Sequence, residues 1–287
     1  MTQLAQNRRR RATALAAFGA LLAGGLIAAG PASAAPMAAP TKDSPAAAGK
    51  PRSDNLRHPQ AVKQDALRQR ALQQRLKGDK SAQGKVAKVG KGQYVELERE
   101  GTDRVFVVLA EFGDTRHASY PDTVGGRPAS DAQRFDGPGH NEIPAPDRSV
   151  DNSTLWQADY DVRHYEDMYF TRMAKYYETQ SSGRYSVDGD VTEWVKVPFN
   201  EARYGRDTCG GIVCNNTWLL LRDALSLWTK DQLASGMSLA DVTAYLKTFD
   251  QQDRYDLDGD GDFAEPDGFI DHFQIVHAGG DQAAGDP

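Results

Sequence analysis

The sequence predicts a mixed α/β or α+β domain in which helices cover a sheet. An uninterrupted apolar run, Val105–Leu109, is typical of a strand at the centre of a sheet that is covered on both faces. Apolar residues recur with helical spacing in 160–179, 216–230 and 238–249, and a further strand pattern follows in 268–280. No internal repeat is visible, so the elements are expected to form one body that begins near residue 101.

The first 34 residues have the order of a secretory signal peptide. A basic cluster, Arg8–Arg11, precedes an Ala/Gly/Leu-rich stretch, and Ala32-Ser33-Ala34 supplies the small residues for cleavage after Ala34. A transmembrane anchor over Ala12–Gly30 is the alternative, but the Ala/Gly-rich composition and the closing triplet favour cleavage. We therefore expect a secreted, extracellular protein without a stable membrane anchor.

The charge distribution separates residues 35–100 from the body. Residues 35–100 carry 14 Lys and Arg against 7 Asp and Glu, whereas residues 101–287 carry 16 against 33. Residues 63–92 contain no aromatic side chain for base stacking, which argues against a nucleic-acid partner. The apolar positions of the basic segment predict one amphipathic helix: Ala66, Leu67, Ala71, Leu72 and Leu76. We interpret residues 35–100 as a pro-region that docks on the acidic body, with a solvated, partly disordered linker as the alternative.

The first half of the body combines a long loop, a helix and a strand pair. Residues 113–153 are rich in Gly, Pro, Asp and Ser and are expected to form a long surface excursion. The helix over 160–179 carries a stripe that favours core packing over a binding role: Tyr165, Met168, Tyr169, Met173 and Tyr176. A period-two alternation around Asp188-Gly189 then predicts a β-hairpin.

Two amphipathic helices and a strand complete the body. The expected buried side of the helix over 216–230 consists of Trp218, Leu221, Leu225 and Trp228. The next helix begins at Ser238, which forms a capping box with Asp241. Its expected buried residues are Leu239, Val242, Tyr245, Leu246 and Phe249. Residues 268–280 then predict a strand that runs into a glycine turn.

The chain has two cysteines, Cys209 and Cys214, which are close enough in sequence to close a small loop. In an oxidising compartment such a pair is expected to form a disulfide. A C-x4-C pair without a second pair or a nearby histidine is a poor zinc site, and the C-x-x-C spacing of redox enzymes is absent. We interpret this pair as a structural disulfide.

The most specific motif is an aspartate-rich stretch, "DLDGDGDFAEPD". Asp256, Asp258 and Asp260 occupy positions one, three and five of the calcium-loop template D-x-[DN]-x-[DN]-G. Gly261 takes the position of the sharp turn. The complete set of predicted calcium ligands is Asp256, Asp258, Asp260, Asp262 and Asp267, with Glu265 and Asp271 as further candidates.

Oxygen-only ligands at this density suit a hard divalent cation. A flexible shell of six to eight oxygens favours calcium over magnesium. The motif is placed between a helix and a strand, so the expected role of the ion is stability, and a solvated acidic turn is the alternative.

Recognised catalytic motifs are absent from residues 1–287. None of the six histidines is followed by Glu, so no H-E-x-x-H motif exists, and G-x-S-x-G, Walker and dinucleotide-binding motifs are also missing. His272 and His277 lie five positions apart on one predicted strand, point to opposite faces and are poor joint ligands. The motifs alone therefore predict an exported, calcium-binding globular domain with no catalytic residue assigned.

Four long segments extend this interpretation: "DNLRHPQAVKQDALRQRAL", "GKGQYVELEREGTDRVFVVLAEFGD", "MYFTRMAKYYETQSSGRYSVDGDVTEWVKVP" and "DRYDLDGDGDFAEPDGFIDHFQIVHAGGDQAAGD". From about Asp54 to the last residue, the chain resembles the immune inhibitor A family of bacterial secreted zinc metallopeptidases. The resemblance implies a zincin-like amino-terminal lobe, protein or peptide substrates, synthesis as a zymogen, and calcium at Asp256, Asp258, Asp260, Asp262 and, less directly, Asp267.

The resemblance also implies zinc catalysis, for which this chain has no matching residues. In the family, a zinc-bound water attacks a peptide carbonyl, and an H-E-F-G-H-type motif supplies two histidines and a general base. That motif lies downstream of "HAGGDQAAGDP", so we expect residues 101–287 to end before the zinc-binding helix and this polypeptide to be inactive by itself.

Two explanations of the missing motif stay open. A fragment of a longer peptidase is favoured over an inactive paralogue, because a zincin lobe without its active-site helix would leave an apolar sheet face uncovered. A non-catalytic extracellular calcium-binding module is the alternative function. Residues 35–100 contain no cysteine, so a cysteine switch is excluded and latency would require steric cover, charge attraction, or a carboxylate or His58 on the zinc.

Overall fold

The structure, a computed structural model, describes residues 59–120, 123–124, 127–128, 137–205 and 216–279. All of them lie in the second of the two units into which the chain divides, residues 49–287. The predicted signal peptide (1–34), His58 and the predicted disulfide Cys209–Cys214 lie outside the described residues. Within the described ranges, the helices fall short of the length and apolarity needed to cross a membrane.

The described part of the chain alternates helices and strands. The α-helices are α1 (Pro59–Leu76), α2 (Val162–Asp167), α3 (Ala174–Gln180), α4 (Thr217–Ala234) and α5 (Leu239–Leu246). A π-helix (Met168–Met173) joins α2 to α3, and short 3₁₀ turns occupy Lys80–Ala82, Glu201–Arg203 and Lys247–Phe249. The strands are β1 (Val86–Gly90), β2 (Gln93–Glu96), β3 (Gly101–Glu111), β4 (Thr123–Val124), β5 (Arg127–Pro128), β6 (Tyr185–Lys196) and β7 (His272–His277).

The central sheet contains three parallel strands in the order β6–β3–β7. Val105 of β3 is in register with Gly189 of β6 and with His272 of β7. All residues from Val105 to Ala110 are buried, which confirms that the apolar run forms a central strand covered on both faces. The predicted mixed fold with a helix-covered sheet is therefore confirmed.

Each face of β3 belongs to a separate apolar cluster. Phe106, Val108 and Ala110 pack under α4 and α5, where the Phe106 ring lies 5.2 Å from Trp228 and 5.1 Å from Phe249, measured between ring centroids. On the opposite face the buried cluster combines residues of β3 with residues from α2, α3 and β6: Val105, Val107, Leu109, Tyr165, Ala174 and Val187. The sheet is therefore the middle layer of a three-layer body.

Most predicted helices form, but in α4 and α5 two residues that were expected in the core are exposed. The capping box of α5 is confirmed: the Asp241 N–H donates to Ser238 Oγ at 3.1 Å, and the Ser238 N–H donates to Asp241 Oδ2 at 3.0 Å. Leu239, however, is the first residue of α5 and is exposed. Trp218 in the first turn of α4 is also exposed, because the buried side of α4 runs through Leu220, Ala224 and Trp228.

The helix predicted over 160–179 is interrupted by the π-helix, and this changes its buried face. Tyr165 is buried, and Tyr169 and Met173 pack against the core. Met168 and Tyr176, which were expected in the core, are exposed. Hydrogen bonds from i to i+5 place more residues in each turn, so positions after the insertion no longer follow the 3.6-residue period.

The hairpin predicted around Asp188-Gly189 is wrong. Both residues lie inside β6, one continuous strand of 12 residues that runs parallel to β3. Gly189 has φ of 154°, and a Cβ at this position would lie 2.0 Å from the Val105 carbonyl oxygen. The glycine is therefore required for close approach of two strands and not for a turn.

The helix predicted in the basic segment is confirmed as α1, and it packs on a small hairpin. β1 and β2 pair antiparallel, and the helix and hairpin share a buried cluster of their own: Leu67, Ala71, Ala82, Ala87, Val89, Val95 and Leu97. Leu72 and Leu76, expected on the buried face of α1, are exposed, with Leu76 88% exposed. Residues 59–97, which we call the helix-hairpin unit, therefore have a core separate from the two clusters of the sheet.

Candidate metal site

The aspartate-rich motif forms a turn between the end of α5 and β7. We call residues 253–265 the acid-rich turn. The Gly261 N–H donates to Asp256 Oδ1 at 2.8 Å, and the Asp260 N–H donates to Asp258 Oδ1 at 3.1 Å. Gly261 adopts φ of 91°, in the left-handed region that favours glycine. The first predicted ligand is therefore bonded to the glycine at position six, as expected for a chain that curls around a common centre.

The turn brings two groups of carboxylates together. One oxygen from each of Asp256, Asp258 and Asp260 lies within 4.8 Å of the others. A second group with the same spacing consists of Asp253, Asp258 and Glu265. Asp258 belongs to both, so the two groups form one continuous acidic cluster. Both groups consist only of carboxylates, as a hard cation such as calcium requires.

Two of the predicted calcium ligands have other partners. Asp262 Oδ1 accepts the Ala264 N–H at 2.9 Å, and Asp267 Oδ1 accepts the Phe269 N–H at 2.9 Å. The Asp267 backbone is held by Asp250, whose Oδ1 accepts the Asp267 N–H at 2.9 Å. Among the described residues, neither Asp262 nor Asp267 belongs to a carboxylate group with the spacing given above.

Asp253 is a candidate ligand that the sequence analysis missed. Its side chain is buried, and it accepts the backbone N–H groups of Tyr255 and Leu257. It precedes the first template position by three residues, so no template position could have identified it. Glu265, in contrast, was recognised as a further acidic candidate, and the structure places it beside Asp253 and Asp258.

The carboxylates of the turn raise each other's proton affinity. Partial burial raises the pKa of Asp256 above its ordinary value, and the charges of Asp253, Asp258 and Asp260 add to this effect, while the bond from Gly261 opposes it. Desolvation and the charges of the neighbouring aspartates raise the pKa of Glu265 in the same way. Negative potential is therefore concentrated in this turn, and a bound cation would relieve it.

The residues present do not fit zinc. Zinc in peptidases is held by histidine nitrogens together with carboxylates or cysteine. Within the described ranges, neither carboxylate group contains a histidine or a cysteine. His272 and His277, at opposite ends of β7, have separate partners: His272 Nε2 lies 3.2 Å from Asp103 Oδ2, and the His277 ring packs against Phe112. The two imidazoles therefore have different surroundings.

A histidine at the carboxyl end of the parallel strands was also missed. His140 Nδ1 lies 2.9 Å from Oε2 of Glu111, the last residue of β3. The imidazole stacks on Trp194 of β6, with ring centroids 4.5 Å apart and planes inclined by 10°. This pair fixes the loop after residue 137 onto the edge of the sheet. No sequence motif marks it, because 29 residues separate its members.

Comparisons with known proteins assign most of the chain to one family. Residues 91–287 match the family model described as immune inhibitor A peptidase M6, catalytic domain. This match places residues 91–287 within the catalytic domain of a peptidase family. The chain belongs to the immune inhibitor A peptidase M6 family.

Two curated relatives align with the chain over a small part of their own length. Immune inhibitor A from Bacillus thuringiensis subsp. alesti is 32% identical over 196 residues, which cover 64% of this chain and 23% of the relative. Pre-pro-metalloprotease PrtV from Vibrio cholerae serotype O1 (strain M66-2) is 37% identical over 140 residues, or 44% of this chain and 14% of that protein. The chain thus aligns with less than a quarter of the length of these relatives.

Proposed function

We propose that the chain is the amino-terminal portion of a secreted, zinc-dependent endopeptidase that is stabilised by calcium and made as a zymogen. The match of residues 91–287 to the M6 catalytic domain is the observation that carries this proposal. The proposed substrates are extracellular proteins or peptides. The basic cluster Arg8–Arg11, the Ala/Gly/Leu-rich stretch after it and the Ala32-Ser33-Ala34 triplet support export after cleavage of residues 1–34.

In this proposal the described residues provide the scaffold and the zinc-binding residues lie elsewhere in the protein. Zinc would supply a polarised water for attack on a peptide carbonyl. No H-E-x-x-H motif occurs in residues 1–287, and the carboxylate groups described above do not fit zinc. The described residues would contribute a three-stranded parallel sheet that is covered on both faces.

The acid-rich turn is the proposed calcium site. The ligand set that the structure favours is Asp253, Asp256, Asp258, Asp260 and Glu265. This set keeps three of the sequence-predicted ligands and replaces Asp262 and Asp267. A bound ion would hold the end of α5 and the start of β7 at a fixed separation, so its effect would be on the stability of the sheet.

The helix-hairpin unit is proposed to be the folded part of the pro-region, and its strand β2 extends into the range 91–287 that matches the catalytic domain. It has its own core and is rich in Lys and Arg, and it precedes the central strand β3 directly. One relative is named a pre-pro-metalloprotease, which agrees with synthesis of this chain as a precursor. Docking of this unit on the catalytic domain would then be an intramolecular interaction of the zymogen.

Calcium is expected to stabilise the chain through the acid-rich turn. At a calcium concentration 100 times the Kd, the free energy of unfolding should rise by about 2.7 kcal/mol, as one specifically bound ligand requires. Asp258→Asn should abolish this gain, because Asp258 belongs to both carboxylate groups. The measurement is thermal unfolding with and without calcium, together with isothermal titration.

The matched control is Asp231→Asn on the exposed side of α4, which should keep the full calcium effect. A chain that takes up no calcium, or an Asp258→Asn variant that retains the parent's affinity, would contradict the proposed site. Asp262→Asn and Asp267→Asn separate the two ligand sets, since both should keep most of the affinity if the structural set is correct.

The peptidase assignment is tested by the activity of two polypeptides. The 287-residue chain should not clear casein, because the residues that bind zinc in this family have no counterpart in it. A polypeptide encoded by the gene together with any in-frame continuation that contains H-E-x-x-H should clear casein and lose this activity with a zinc chelator. Casein clearing by the 287-residue chain alone would show that the ligand assignment is wrong.

A further inference from the structure

The helix-hairpin unit rests directly on the acid-rich turn. From α1, Gln64 Nε2 donates to the Tyr255 carbonyl oxygen at 3.0 Å. From the hairpin, the Tyr94 ring covers Gly261 so closely that a Cβ on this glycine would lie 2.7 Å from Tyr94 Cδ1. At the tip of the hairpin, a Cβ on Gly259 would lie 3.5 Å from the Gly92 carbonyl oxygen. The unit therefore contacts the turn from both its helix and its hairpin.

These contacts fall on the backbone that carries the proposed ligands. Gly259 lies between Asp258 and Asp260, and the Gly261 N–H donates to Asp256. Tyr94 therefore packs on the same glycine whose N–H holds the first carboxylate of the turn. A change in the curl of the turn would therefore change the surface on which Tyr94 rests.

Charge acts on this contact in two opposing ways. Residues 59–97 carry nine Lys and Arg against three acidic residues, and residues 250–271 carry nine acidic residues against one Arg. Attraction between the two segments favours docking without any cation, but exposed charges are screened over about 8 Å at physiological ionic strength. Repulsion among carboxylates within 4.8 Å of one another is screened much less, and it opposes the curled turn. A bound cation would weaken the attraction between the two segments, and it would also reduce the repulsion that opposes the curled turn. The second effect should be the larger one.

We propose that cation binding by the acid-rich turn and docking of the helix-hairpin unit strengthen each other. The proposal rests on the calcium site of the proposed function and adds its coupling to the amino-terminal segment. By thermodynamic linkage the coupling is reciprocal: docking raises calcium affinity by the same factor by which calcium favours docking. In the zymogen, loss of calcium would then loosen the helix-hairpin unit.

Calcium affinity of contact variants tests the first direction of the coupling. In the 287-residue chain, Tyr94→Ala should raise the Kd for calcium about tenfold, within the range of ordinary coupling between sites. Gln64→Ala, which removes the contact from α1, should raise the Kd about threefold. Neither residue is a ligand in the proposed set. The matched control is Tyr176→Ala on an exposed helix surface, which should leave the Kd unchanged within twofold.

Hydrogen exchange of the parent chain tests the reverse direction. Calcium should slow exchange of the hairpin amides, residues 86–97, about tenfold, and the Asp258→Asn variant should not show this slowing. This arm needs no substitution in the helix-hairpin unit, so it decides the question if Tyr94→Ala does not fold.

The outcomes separate this inference from the site on which it depends. The parent chain could bind calcium while Tyr94→Ala keeps the same Kd, or while calcium leaves hydrogen exchange of the hairpin amides unchanged. Either result overturns the coupling and leaves the calcium site intact. An equal loss of affinity in Tyr176→Ala also overturns it, because the effect would then be unspecific. A parent chain without calcium uptake overturns the site and the coupling together.

Discussion

Asp103→Asn is expected to lower the free energy of unfolding by about 3 kcal/mol at pH 7. Removal of one partner from a buried ion pair usually costs about this much. Asp103, at the amino end of β3, is only 3% exposed. Its Oδ1 accepts Arg99 Nη2–H at 2.8 Å, and its Oδ2 accepts the Tyr185 hydroxyl at 3.0 Å and lies 3.2 Å from His272 Nε2. The carboxylate therefore joins β3 to both neighbouring strands.

The same carboxylate gives the stability a defined pH dependence. Burial alone would raise the pKa of Asp103, but hydrogen bonds from His272, Arg99 and Tyr185 outweigh this and hold the pKa well below its usual range. A group with a depressed folded pKa contributes fully above its unfolded pKa of about 3.9, and the contribution is lost as the pH falls towards the folded pKa. The difference between the parent and Asp103→Asn should therefore shrink below pH 4.

Urea unfolding followed by tryptophan fluorescence at pH 7, 5, 4 and 3 measures both effects. The control is Asp114→Asn, which removes an exposed carboxylate 3.3 Å from the Lys196 ammonium and should cost less than about 0.5 kcal/mol. An Asp103→Asn variant as stable as this control at pH 7, or a stability difference that grows below pH 4, would contradict the assignment.

The sequence predicted the features that depend on local composition. The central strand was predictable because six consecutive buried residues, Val105–Ala110, leave no polar position for a solvent-exposed face. The capping box of α5 was predictable because Ser238 and Asp241 bond only to each other and to their own backbone. The curl of the acid-rich turn was predictable because Asp256 and Gly261, which are hydrogen-bonded to each other, lie within one short template.

The features that the sequence did not predict depend on contacts that exist only in the folded chain. Asp253 was missed because its place in the carboxylate cluster follows from the folded turn and not from a ligand spacing. The Glu111–His140 pair and the docking of Tyr94 on Gly261 join segments separated by 29 and 167 positions. The predicted buried faces of α4 and of the helix over 160–179 were partly wrong. In α4 the first-turn residue Trp218 is exposed, and in 160–179 a π-helix interrupts the 3.6-residue period.

Gly189 is the position where the sequence pattern and the structure disagree most directly, and one substitution separates them. Gly189→Ala is expected to lower the free energy of unfolding by more than about 4 kcal/mol, beyond the range of ordinary substitutions. The added Cβ would lie 2.0 Å from the Val105 carbonyl oxygen and 2.9 Å from Phe170 Cζ. Relief would require β6 to move away from β3, which breaks the parallel pairing of the two strands.

A hairpin turn at the same position would give a different result. Alanine in an exposed turn costs only backbone strain, on the order of 1 kcal/mol, because no neighbouring strand is displaced. The control is Gly84→Ala, where the added Cβ would lie 3.6 Å from the Val86 carbonyl oxygen, an ordinary contact, and the change should be within about 1 kcal/mol of zero. Equilibrium unfolding in urea distinguishes the two cases. A loss for Gly189→Ala no larger than that of Gly84→Ala would mean that β6 is not one strand, and the parallel β3–β6 pairing that carries the three-layer body would have to be abandoned.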